Sequence, residues 1–395
     1  MRSNDSSWRL SLAATLFLLS PFDLLASLGM DMYLPVVPLM ADALGTGAAT
    51  VQWTLTAYLV LLGAGQLVFG PLSDRLGRRP VLLGGALAYI AASFSLAAVS
   101  SPALFLSLRI LQGCGAAACL VATFATVRDV YSGREECHVI YGLLGSMLAM
   151  VPAAGPLLGA LVSAWLGWRA IFGVLGMAMA GAFIAAWLLW PETRRRGDAD
   201  AQWSQLLQPL RRRSFWLYTL GYSAGMGSFF VFFSTAPWLM MGRQGLSQLG
   251  FSLLFATVAI AMMVTARLMG RLIARWGSLK TLRMGMGCLI AGALALALTE
   301  LWLPSSALGL IAPMWLVGAG IAAAVSVAPN GALQGFDHMA GTVTAVYFCL
   351  GGLILGGLGT LAITFFPSET SWPIIAYGLS LAAAVLCLSC TVKRD

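Results

Sequence analysis

Apolar runs of roughly membrane-crossing length follow one another along this chain, separated by short polar breaks. A hydrocarbon core about 30 Å thick is crossed by about 20 residues of helix. That length predicts twelve helices, over residues 11–38, 51–71, 80–99, 103–127, 139–162, 169–190, 215–239, 249–270, 280–302, 306–329, 341–364 and 371–391. The expected fold class is therefore an all-α polytopic membrane protein with twelve transmembrane helices. The longest polar break, residues 192–214, separates six spans from six. It predicts an N-terminal six-helix bundle over 1–191, a cytoplasmic linker over 192–214 and a C-terminal six-helix bundle over 215–395. Within the linker, Gln202 to Leu210 has the pattern of a short amphipathic helix lying on an anionic leaflet.

Composition agrees with a lipid environment. Of the 395 residues 59% are hydrophobic and 10% charged, against about 25% charged in a soluble domain. The net charge of +8 raises the question of a nucleic-acid partner, but the basic residues do not form a soluble patch. With a cytoplasmic N-terminus, 20 of the 23 basic residues fall on the inside; Arg169 and Arg243 fall outside and Arg109 lies within a span. That asymmetry places both termini in the cytoplasm, so the charge reports topology and no nucleic-acid partner is expected. Of the seven cysteines, five lie within spans, where they read as small packing residues rather than a disulfide framework. No nucleophile–base set, phosphate loop or metal cluster stands out. An enzyme, a metal site and a bound cofactor are accordingly not expected.

The two halves repeat. Gly70-Pro-Leu72-Ser-Asp-Arg75-Leu-Gly77 follows the second span, and Gly270-Arg-Leu272-Ile-Ala-Arg275-Trp-Gly277 follows the eighth, 200 residues later, with Gly, Leu, Arg and Gly in register. Parallel repeats of this kind are common in transporters, which bind near the midplane between repeats.

Three charges stand inside the apolar runs. Asp23 and Asp31 interrupt the first span and Arg109 the fourth. A charge at bilayer depth costs at least ~2.5 kcal/mol and marks an ion or substrate path. The two acids are about 12 Å apart along a helix and about 80° apart around it, so they can bound one cavity at different depths; Asp31 also reads as a solvated helix-end residue. Arg109, Gln112, Gly113 and Ala116 have i, i+3, i+4, i+7 spacing and share one helix face. Arg109 either points into the bundle or snorkels to the outer interface. The first, second and seventh spans are rich in aromatics and small hydroxyls. Tyr33, Tyr58, Tyr222 and Phe230 with Gln112, Met150, Ser223 and Ser234 suit an apolar cavity carrying a few polar groups; lipid-facing packing is the plainer reading of any one of them.

GPLSDRLGRRP at 70–80 resembles the loop between spans two and three of the major facilitator superfamily, and its glycines read as a tight turn that holds Asp74 and the arginines at the cytoplasmic face. Arg109-Ile-Leu-Gln112-Gly113-Cys-Gly115-Ala116 is similar to the fourth-span motif of the same family. Met150-Val-Pro152-Ala-Ala-Gly155-Pro156-Leu-Leu-Gly159 resembles its drug-antiporter motif in span five, although a proline kink is common in membrane helices. PFDLLASLGMDMYLP, ATFATVRDVY, SAGMGSFFVFFSTAP, VSVAPNGAL and AGTVTAVYFCLGG extend the likeness to the chloramphenicol and florfenicol exporters among the twelve-span drug:proton antiporters.

The resemblance implies the major facilitator fold and efflux of phenicol antibiotics in exchange for protons. The antibiotic, protons and the lipid bilayer would be its partners, in a bacterial inner membrane, with the chain working as a monomer. It assigns Asp23, Asp31 and Arg109 to proton and substrate coupling, and Gly155, Pro156 and Gly159 to the antiporter motif. It makes Gly70, Asp74, Arg75, Gly77 and Arg78 a cytoplasmic latch, with Arg78 paired to Asp129 and Asp74 facing the start of span eleven; a solvated topogenic loop is the alternative. Ala274 stands where a second latch needs an acid. A proton-coupled importer of a small metabolite uses the same acids with opposite coupling.

Overall fold

The computed structural model describes residues 8, 10–131, 134–194, 208–336, 340–367 and 369–391. Most of the linker, and with it most of the helix expected over 202–210, lies outside the described residues. Among these, the regular structure is helical. The elements are α1 (Leu12–Asp31), α2 (Val37–Ala43), α3 (Ala48–Leu76), α4 (Arg78–Ala98), α5 (Pro102–Tyr131), α6 (Glu135–Leu166), α7 (Arg169–Leu189), α8 (Arg213–Pro237), α9 (Gln248–Trp302), α10 (Ala307–Leu333), α11 (Ala340–Phe365) and α12 (Trp372–Thr391).

Eleven helical runs in the described residues are long and apolar enough to cross a membrane. One of them, α9, has 55 residues, about 80 Å of helix and more than twice the depth of a bilayer. It holds two spans. At Gly277 the backbone leaves the helical region (φ 76°, ψ 167°), a conformation open essentially to glycine alone. Residues 248–276 and 278–302 are thus the eighth and ninth of twelve spans, joined by a one-residue break.

Local chemistry sets several helix starts. Ser11, Ser247 and Ser306 cap α1, α9 and α10 by accepting from Ala14 N, Gly250 N and Gly309 N, which satisfies one of the donors a helix N-terminus leaves free. The first span is broken near its end: α1 stops at Asp31, a 3-10 turn covers Leu34–Val36, and α2 follows. Pro237 lacks the N–H that continues a regular helix, and α8 passes there into a π-helical turn, Trp238–Arg243.

Contacts divide the chain into two compact units. The first comprises 1–33, 43–45 and 57–201, and the second 34–42, 46–56 and 202–395. In the first unit α1 packs on α5, α6 and α7, while α4 packs on α5 and α7. In the second, α8 packs on α10, α11 and α12, and α9 on α10 and α12. Residues 34–56, which sequence order puts with the N-terminal bundle, group mostly with the second unit. The 3-10 turn packs on α8 and α9, and Thr56 lies 3.1 Å from Thr360, hydroxyl to hydroxyl.

Candidate functional site

The polar centre of the first unit is built on carbonyls of α1. Arg109, from α5, is fully buried. One terminal nitrogen donates to Gly29 O (2.9 Å) and to Gln112 Oε1 (2.6 Å). Its guanidinium lies 4.4 Å from the ring centre of Tyr58 and 4.9 Å from that of Tyr33, within cation–π range. The chain of bonds continues from Gln112 Nε2 to Ser93 Oγ (2.9 Å), and Ser93 Oγ donates to Tyr89 O (2.7 Å). Tyr58 Oη donates to Ala26 O and Tyr89 Oη to Leu25 O. Three helices, α3, α4 and α5, therefore each reach α1 through a buried side-chain donor.

Gly29 makes this convergence possible. A Cβ there would lie 2.6 Å from Tyr89 Oη and 2.7 Å from Tyr58 Oη, so a side chain would displace both phenols. Tyr89, Ser93 and Gly29 are members of the site that sequence reasoning missed.

The acids are placed differently. Asp23 is fully buried, and neither carboxyl oxygen has a hydrogen-bond partner. An unpaired buried charge is expensive, so this carboxyl is open to a proton or to the donor of a ligand. Asp31, 7% exposed, ends α1 against the span-five motif. A Cβ at Gly155 would overlap that of Asp31, and one at Gly159 would overlap the carbonyl oxygen of Met32. The two glycines thus let α6 touch the end of α1, with Pro156 buried between them. No ion pair joins Arg109 to either acid among the described residues; the guanidinium meets the first span through its backbone. Its Nε and its second terminal nitrogen have no hydrogen-bond partner.

Of the proposed cavity residues, Tyr33, Tyr58 and Gln112 converge on Arg109. Met150 is 61% exposed and stands apart. Tyr222, Ser223, Phe230 and Ser234 belong to α8 in the second unit. Gly351 and Gly359 of α11 seat Tyr222 and Phe230: a Cβ would lie 2.9 Å from the Tyr222 ring and 2.8 Å from that of Phe230. Ser223 Oγ donates to Thr219 O at 2.9 Å, and the Ser234 hydroxyl is buried without a partner.

At the other polar cluster Arg78 is 2% exposed. It donates to Asp74 (2.5 Å), to Asp129 (2.6 Å) and to Ser73 Oγ (3.2 Å). The expected turn differs in extent. Residues 70–76 are the last turns of α3, which puts Asp74 and Arg78 four residues apart on adjoining helical turns. Gly70 is helical with open space beside it, and the only break is Gly77 (φ 109°). Arg75 is exposed. Glu192, which the sequence did not single out, caps α4 by accepting from Arg78 N (2.8 Å) and Arg79 N (3.2 Å).

The sequence profile of the Major Facilitator Superfamily matches residues 23–360. A chloramphenicol resistance protein of Pseudomonas aeruginosa is 72% identical over 393 residues, covering 100% of this chain and 94% of its own length. Another chloramphenicol resistance protein, from Escherichia coli, is 55% identical over 138 residues, 35% of this chain and 45% of that protein. Multidrug resistance protein D of Escherichia coli (strain K12) is 30% identical over 339 residues, 84% of this chain and 82% of that protein.

Proposed function

The chain belongs to the Major Facilitator Superfamily, a family of membrane transporters rather than enzymes, and from that premise we propose that it exports phenicol antibiotics in exchange for protons. The substrate reading is supported by the near full-length likeness to a chloramphenicol resistance protein. The observation that carries proton exchange is Asp23, a buried carboxyl with both oxygens unbonded in the first span.

Chloramphenicol is neutral, with a nitroaryl ring, an amide and a diol. In this reading the diol donates to an ionised acid of α1, and the ring lies on aromatic side chains. Facing outward, Asp23 or Asp31 takes up a proton and the drug leaves; facing inward, the proton is released as drug binds. Arg109, bonded to Gly29 O, steadies α1 while this exchange proceeds. Arg78, held between Asp74 and Asp129, serves as the cytoplasmic latch, and the two bundles span 1–191 and 215–395. Both termini are cytoplasmic, the membrane is a bacterial inner membrane, and a monomer suffices.

Exchange of a neutral drug for one proton moves charge. A potential of about 180 mV contributes about 4 kcal/mol per proton, enough for roughly a thousand-fold drug gradient. Inside-out vesicles should take up chloramphenicol when energised, and collapsing either the potential or the pH difference alone should reduce uptake. Asp23→Asn should abolish it. Uptake indifferent to both components, or undiminished in Asp23→Asn and Asp31→Asn alike, would overturn the coupling.

A further inference from the structure

The second unit contains one buried phenol that its own fold does not use. Tyr347 of α11 is fully buried, and its hydroxyl has no hydrogen-bond partner. Other buried tyrosines of the chain show the contrast. Tyr377 Oη donates to Ser223 O at 2.8 Å, as Tyr58 and Tyr89 donate to carbonyls in the first unit. A buried polar group left unpaired costs about 1–3 kcal/mol, and such a group in a native fold calls for an explanation.

Its surroundings supply one. Tyr347, Tyr222 and Phe348 form a closed triad, with ring centres 5.2 Å (Tyr222–Tyr347), 5.8 Å (Tyr222–Phe348) and 5.0 Å (Tyr347–Phe348) apart. Tyr222 and Phe348 are partly exposed, whereas Tyr347 is not. The triad thus has an accessible aromatic rim with one unspent donor behind it. Gly351, one turn beyond Tyr347, brings α8 against α11 and holds Tyr222 in place.

We infer that Tyr347 is a specificity-determining residue: the Tyr222–Phe348 rim takes an aryl ring, and the Tyr347 hydroxyl donates to an oxygen acceptor borne by that ring. The nitro group of chloramphenicol and the methylsulfonyl group of florfenicol both present such oxygens in the same place on the ring. The ligand class is a neutral aryl compound with a ring-borne oxygen acceptor. This inference rests on the phenicol-export reading and adds the group of the antibiotic that Tyr347 recognises.

Tyr347→Phe keeps the ring and removes only the hydroxyl. Uptake of chloramphenicol, and of an analogue with hydrogen in place of the nitro group, is measured in inside-out vesicles with the unaltered protein and with Tyr347→Phe. Thermal unfolding of both purified proteins is followed alongside. One neutral hydrogen bond corresponds to about a three- to tenfold change. KM for chloramphenicol should therefore rise by about that factor with the maximal rate unchanged. KM for the analogue should be the same in both proteins, and Tm should be equal or higher in the variant. A chloramphenicol KM within about twofold of the unaltered protein's, an equal shift for the analogue, or a lowered Tm would overturn the inference while leaving phenicol export standing. No uptake by the unaltered protein would overturn export itself, and this inference with it.

Discussion

The two units share a scaffold and differ in what they place on it. In the first, α4 crosses α5 at Gly85 and Gly115; a Cβ on Gly85 would lie 2.9 Å from Gly115 O, and one on Gly115 would lie 2.8 Å from Tyr89 N. In the second, residues 278–302 cross α10 at Gly285 and Gly320, with corresponding distances of 3.0 Å to Gly320 O and 3.0 Å to Leu289 N. Gly113 rests on the backbone of Tyr58 as Gly318 rests near Val258. Position by position, Tyr58, Tyr89, Ser93, Arg109 and Gln112 are matched by Val258, Leu289, Ala293, Met314 and Val317. All five of these are buried. The same helix crossings therefore form with apolar side chains at all five positions. The first unit's network is not required to bring these helices together, and its use belongs to the coupling proposed above.

The strongest test makes the first unit like the second. Arg109→Met alone leaves Gln112 Oε1 and Gly29 O without their shared donor, each costing about 1–3 kcal/mol. Ser93→Ala, Arg109→Met and Gln112→Val together remove the Gln112 carbonyl as well, and replacing a buried polar network by apolar residues is often neutral or stabilising. Thermal unfolding should show the single variant well below the unaltered protein and the triple variant partly or wholly restored. Chloramphenicol export should fall to the level of cells lacking the protein in both. Export by a stable triple variant would break the comparison, since the network would then be dispensable.

That contrast was only partly legible in the sequence. Arg109, Gln112 and Gly113 announced a shared face by their spacing, and Gly77 and Gly277 announced the repeat; both glycines have positive φ, as a turn forced on glycine requires. Span counting worked because bilayer thickness fixes length, even where α9 runs through its break as one helix. Tyr89, Ser93 and Gly29 left no such trace. Their roles depend on which turn of another helix they meet, and a donor to a backbone carbonyl imposes no residue type on its partner. Glu192 was hidden for a related reason, since the backbone N–H groups of Arg78 and Arg79 from which it accepts impose no residue type either. The importance of Tyr347 lies in a bond it does not make, which only the surrounding packing can reveal.

The cytoplasmic ends of the repeat offer a second, smaller contrast. Ala274 replaces Asp74 and Ser278 replaces Arg78, so among the described residues the second unit shows no counterpart of the Arg78 cluster. Asp129 and Asp74 are unequal partners: Asp129 has a side-chain exposure of 6% and Asp74 of 36%. Breaking a buried pair leaves an uncompensated charge and costs about 3 kcal/mol or more, whereas a pair open to water is worth at most about 1 kcal/mol. Asp129→Ala should thus lower Tm several times as far as Asp74→Ala. If Asp74 is nonetheless the latch, Asp74→Ala should slow export with little loss of Tm. Equal stability losses would show that burial does not rank these partners.

The smallest expected difference lies between the two turn glycines themselves. Gly77 (φ 109°) and Gly277 (φ 76°) adopt the extended, positive-φ conformation that costs other residues about 1–3 kcal/mol. Backbone strain should therefore make Gly77→Ala and Gly277→Ala destabilising alike. Their surroundings then separate them. A Cβ at Gly277 meets open space, whereas one at Gly77 would overlap the Glu192 carboxylate that caps α4. Losing that cap adds about 1 kcal/mol, so Gly77→Ala should unfold at the lower temperature by that margin. Repeating the pair in a Glu192→Ala background removes both the obstruction and the cap. There the two glycine variants should shift Tm by the same amount, because only the strain common to both halves remains; a persistent gap would mean that the two turns were never equivalent.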